Sequence, residues 1–74
     1  MDNEMTKLSP VTSLYDLRTR AKVDPRYLQL AINAAQNLGG MPTNLDGAIR
    51  WFELSMMETG EDEKSIVNEI NFCI

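Results

Sequence analysis

Residues 25–60 read PRYLQLAINAAQNLGGMPTNLDGAIRWFELSMMETG, and the fold turns on this stretch. Leu28, Ala31, Ile32, Ala35 and Leu38 recur at helical spacing, and Asp24-Pro25 ahead of them supplies an N-cap followed by proline at the first helical position. Gly39-Gly40 stops this helix and Met41-Pro42 continues the turn. Thr43 or Asn44 then caps the next helix, in which Asp46 favours the helix dipole and Gly60 forms the end. Leu45, Ala48, Ile49, Phe52 and Met56 share one face of it, while Gly47, Trp51, Leu54 and Glu58 lie opposite. Between Tyr27 and Leu45 there is no charged residue at all. A helix apolar on two sides must be covered by its neighbours or by a partner.

Working outward, Ser9-Pro10 repeats the cap-and-proline signal and predicts a helix to about Lys22, with Leu14, Tyr15, Leu17 and Ala21 as its stripe. Met1–Leu8 lacks apolar periodicity and is expected to be a flexible arm. Beyond Gly60, the acidic run Glu61, Asp62 and Glu63 opens a fourth helix whose stripe is Ile66, Val67, Ile70, Cys73 and Ile74. The expected fold is all-α, a compact orthogonal bundle of four short helices, with residues 9–74 as a single helical domain.

With 74 residues, 43% hydrophobic and 24% charged, the chain has the composition of one folded domain rather than of a disordered segment. A domain this small buries a modest fraction of its surface, so its stability margin is thin. The net charge of -4 works against phosphate binding. That charge is uneven: residues 1–22 sum to +1 and residues 61–74 to -3. Cys73 is the sole cysteine and excludes an internal disulfide. The start Met-Asp-Asn-Glu lacks a basic n-region, and no apolar run approaches the roughly 20 residues that span a bilayer. The expectation is a cytoplasmic protein with no membrane association.

Chemistry-bearing motifs are scarce. There is no histidine and no serine in a nucleophile motif, and Cys73 sits on an apolar helix stripe, so no enzyme activity and no cofactor are expected. Glu58, Glu61, Asp62 and Glu63 lack the alternating ligand spacing of a calcium loop and read as a solvated helix start, not as a metal site. Arg18, Arg20, Lys22 and Arg26 form the one basic cluster. Cations there complement the dipole of the first helix, and Arg20 can pair with Asp16 four residues back. Arg18 falls inside the apolar stripe and must snorkel or find a partner.

The sharpest feature is the second face of the 45–59 helix, where Trp51 stands at the centre of an apolar patch. Either neighbouring helices cover Trp51 or it anchors a partner. The functional expectation is a small acidic protein–protein interaction module, acting as inhibitor, adaptor or regulatory subunit of a larger protein. Size and acidity suit that class, which includes host-directed regulators encoded by phages. Trp51, Leu54 and Met57 form the apolar anchor, and Arg18, Arg50, Glu53 and Glu58 the polar rim. A different protein is the expected partner, with a homodimer as the lesser option and nucleic acid disfavoured. The alternative is a small dimeric helix-turn-helix DNA-binding regulator built on residues 25–59. Against it, the reading helix offers Asp46, Glu53 and Glu58 with Arg50 as its single cation, and the turn is long.

Overall fold

The computed structural model describes residues 8–74, and among them there are four helices and no strand. They are α1 (Leu14–Val23), α2 (Pro25–Asn37), α3 (Leu45–Thr59) and α4 (Glu63–Phe72). The chain is a small all-α bundle, as the periodicity predicts. No described helix is long and apolar enough to cross a membrane. Of the expected flexible arm, Met1–Lys7 lies outside the described residues, while Leu8 packs partly buried against the core.

Local chemistry sets three of the four helix starts where the sequence places them. Asp24 caps α2 by accepting from the Arg26 N–H, Asn44 caps α3 by accepting from Gly47, and Asp62 caps α4 by accepting from Ser65. Helix α2 ends in a Schellman arrangement: Gly40 N–H reaches the Ala35 carbonyl at 2.9 Å, Gly39 N–H reaches Gln36 at 3.0 Å, and Gly39 takes φ +92°. Gly60, at φ +77°, closes α3 on the Met56 carbonyl.

The start of α1 differs from the expectation. Ser13, not Ser9, is the N-cap, and its hydroxyl accepts from Asp16 N–H at 2.9 Å while Asp16 reaches back to Thr12 N–H at 3.0 Å. This is a variant of the capping box in which Asp16 accepts from the N–H one residue ahead of the cap. Residues 8–13 are a non-helical strap held by distant parts of the chain. Asn71 grips both sides of Val11, accepting from its N–H at 2.8 Å and donating to its carbonyl at 3.0 Å. Glu63 accepts from Leu14 N–H at 2.7 Å, so the first residue of α4 also satisfies the open end of α1.

Helix α2 packs on α1, α3 and α4, and its inner face is small: Ala31, Ala34 and Ala35 are buried together with Tyr27 and Leu30. Small side chains let three neighbours approach one helix closely. The price of that face is a rotation from the expected stripe, leaving Leu28 and Ile32 only partly covered. Phe52, Leu17, Ile66 and Ile70 are the largest fully enclosed side chains. In α1, Tyr15 is 79% exposed, which overturns its place on the buried stripe: it stands about a quarter-turn round from Leu14. Ile74, expected on the inner stripe of α4, is 42% exposed, and Cys73 is half-buried beside Asn37.

Candidate interaction face on helix α3

Helix α3 buries Ala48, Ile49 and Phe52 and turns its other side outward. Asn44 and Gly60 fix its two ends, and Phe52 at the centre fixes its rotation, so the outward residues follow from the phase of the helix. Leu54 lies opposite Phe52 and Leu45, and is 47% exposed; Met57, one turn on, is 80% exposed. They form an apolar ridge with a concavity on either side. One, about 360 Å³, is lined by Trp51, Leu54, Ser55, Met57 and Glu58. The other, about 420 Å³, runs from the ridge past Arg50 and Glu53 to Arg18.

Trp51 is half-buried and supplies the floor of the first concavity rather than its crest. Its ring lies on Gly40, where a Cβ would stand 2.7 Å from the indole. The α2 terminus therefore has a glycine for two reasons: Gly39 for the positive φ, and Gly40 for the room that Trp51 occupies. The indole N–H is buried and meets no acceptor among the described residues. A buried donor without a partner is a local cost, which the ring's packing offsets.

Arg18 does find a partner, Asp46 at the start of α3, at 3.6 Å. Both side chains are largely solvated, so the pair ties α1 to α3 only weakly. Arg20 lies on Asp16 at 3.0 Å and its guanidinium carbon stands 5.6 Å from the centre of the Tyr27 ring. Arg26 pairs with Asp24 at 2.8 Å. The three arginines of the basic cluster are thus engaged with carboxylates of the fold, Arg20 with the Asp16 that its spacing predicts. Arg50, Glu53 and Glu58 are exposed and have no ion pair among the described residues, although Arg50 and Glu53 stand one turn apart.

The carboxylates with shifted acidity lie at helix starts, away from this face. Asp16 is held below the usual carboxylate range chiefly by the Thr12 N–H it accepts, with Arg20 adding to it, and Asp16 in turn raises Arg20. Asp24 is lowered by Arg26, and Asp62 by the Ser65 N–H. With Asp62 capping α4 and Glu63 capping α1, two members of the acidic run have structural work. Among the described residues no group of three or more His, Cys, Asp or Glu is placed to hold a metal.

The structure brings six of the seven expected site residues, Trp51, Leu54, Met57, Arg50, Glu53 and Glu58, onto one side of α3 and sets Arg18 beside it from α1. It adds Tyr15, whose exposed ring borders a further hollow with Arg18, Ile49 and Glu53. A second apolar spot lies at the far end of α4, where Phe72 is 87% exposed near a hollow bordered by Leu8, Leu30 and Ile74. As a DNA-reading pair, α2 and α3 are separated by residues 38–44, and α3 exposes Asp46, Glu53 and Glu58 around Arg50. What fold and face define is the class of small all-α bundles with an open apolar helix face. Compared with protein-family models, curated proteins and solved structures, the chain finds no match in any of the three.

Proposed function

We propose that this protein acts by binding another protein through the outer face of α3, as an inhibitor, adaptor or regulatory subunit. The observation that carries the reading is the ridge of Leu54 and Met57: Tyr15, Val23, Met41, Phe72 and Ile74 are exposed as well, but these two stand together on one helix between two concavities. Solvated apolar surface between two concavities offers a partner both a knob and holes, the geometry in which a few residues supply most of the binding energy. Trp51 stiffens the site from below and presents one edge. Arg18, Arg50, Glu53 and Glu58 at the margin mix both signs, which suits selection among protein surfaces and gives no continuous basic track for nucleic acid.

The test compares the native chain with the combined variant Leu54→Glu, Met57→Glu as bait in a nuclease-treated lysate of the source cells. Both positions are exposed, so the helical far-UV signal should be unchanged. A protein retained at near-equal stoichiometry by the native chain and lost by the variant is the expected result. Retention of the same protein by both baits would place binding elsewhere and overturn the reading.

A further inference from the structure

The face on α3 is self-complementary, and we infer that in the absence of another partner a second copy of this chain covers it, α3 against α3 in antiparallel order about Leu54. The inference rests on the proposed use of this face and names an occupant for it. An isologous contact needs each feature of a patch to meet its own complement after a two-fold rotation. With Leu54 on the axis, residue numbers facing one another sum to a constant. Met57 comes level with Trp51 of the second copy, and Arg50 comes level with Glu58 of the second copy.

Each of those meetings has a physical reason on the face itself. Met57 is an unbranched, flexible side chain, 80% exposed, and the hollow floored by Trp51 lies beside the same ridge. A thioether entering an aromatic-floored hollow is a favourable contact. Of the chain's four arginines, three already lie within 4 Å of a carboxylate, and Arg50 has none that near among the described residues. Glu58 on the far side of Leu54 likewise has no ion pair among the described residues. Antiparallel order sets these opposite charges level twice, whereas parallel order would set Arg50 against Arg50 and Glu58 against Glu58. It also opposes the two helix dipoles. A standard interface takes about 800 Å² from each partner. That is roughly a sixth of the 5059 Å² here.

Sedimentation equilibrium of the purified chain, from about 5 to about 500 µM, tests this by mass action. The expected result is a mass that rises from monomer to dimer and stops there. Arg50→Glu should weaken the dimer roughly tenfold by setting like charges together, Glu58→Arg likewise, and the double reversal should restore it to within about threefold. A chain that stays monomeric throughout, or a double reversal no better than the single ones, would overturn the inference. Neither result touches capture of a different protein through Leu54 and Met57, which the lysate comparison decides separately.

Discussion

Around Tyr27 and around Leu54 the chain treats polar and apolar groups in opposite ways. The Tyr27 hydroxyl accepts from Ser9 N–H at 3.0 Å and donates to the Ser9 carbonyl at 3.0 Å, with Arg20 as a further donor at 3.4 Å. A phenol has one donor and two acceptor lone pairs, and all three are used here. Asn71 and Glu63 complete the strap in the same manner, with its Val11 buried and its Leu8 packed partly buried against the core. Around Leu54 the apolar groups stand in water, and Arg50, Glu53 and Glu58 have no ion pair among the described residues. The first region is closed on itself and needs nothing more. The second is stable enough to present, because its helix is fixed from the inner side by Phe52 and at both ends by caps, so incompletion there is not a symptom of weak structure.

The strongest way to break this comparison is to probe the two sides of α3. Phe52 is fully enclosed, and Phe52→Ala should cost about 3 to 5 kcal/mol, most or all of what so small a domain has. Met57→Ala should change stability by no more than about 0.5 kcal/mol. Urea unfolding followed by circular dichroism reads both. Similar losses at the two positions would mean that Met57 is structural and the face is not open.

How far the sequence discloses these two regions depends on the range of the forces involved. Asp24-Pro25, Asn44 and Gly60 act within a few residues, so the limits of α2 and α3 can be read from adjacent letters. The exposed ridge is legible for the same reason: once Phe52 is inside, the helical period puts Leu54 outside. The strap is not legible, because its partners are 18 to 60 residues away and nothing in Ser9-Pro10 announces them. Ser9-Pro10 imitates a helix start, and only the competing Ser13-x-x-Asp16 box gives a local signal for the true one. Tyr27 as a core residue and the contact of Trp51 with Gly40 are equally tertiary. The period alone leaves Trp51 between cover and exposure, and the structure gives it a share of each.

Gly40 joins the closed part of the molecule to the open face. A methyl group there would stand 2.7 to 2.8 Å from three atoms of the indole, and these are inner ring atoms that can give way only if the whole ring moves. Gly40→Ala should therefore cost about 1 to 3 kcal/mol and displace the ring toward water. Because Trp51 is the sole tryptophan, a red shift of its fluorescence would accompany the lower urea midpoint. An unmoved emission and midpoint would show that the ring is not wedged, and would return Trp51 to the crest of the binding face.

The smallest effect expected concerns acid, and it should separate the two regions by their electrostatics. Asp16 has its acidity strengthened in the folded chain by the Thr12 N–H and by Arg20, from an ordinary value of 3.8. A carboxylate whose folded value lies below its unfolded value stabilises the fold above the unfolded value, and that contribution fades as pH falls through the folded one. Asp24 and Asp62 act in the same direction at the starts of α2 and α4. Acid should thus loosen helix starts and the strap while leaving the apolar ridge chemically unchanged. Asp16→Asn isolates one of these groups, since asparagine keeps the shape and an acceptor oxygen but does not titrate. Native chain and variant, unfolded thermally at neutral pH and again at a pH well below 3.8, past the lowered folded value, should differ measurably in the first case and converge in the second. A difference that persists undiminished in acid would mean that the variant is weakened by its amide group and not by the missing charge, and that the charge of Asp16 does not stabilise the fold.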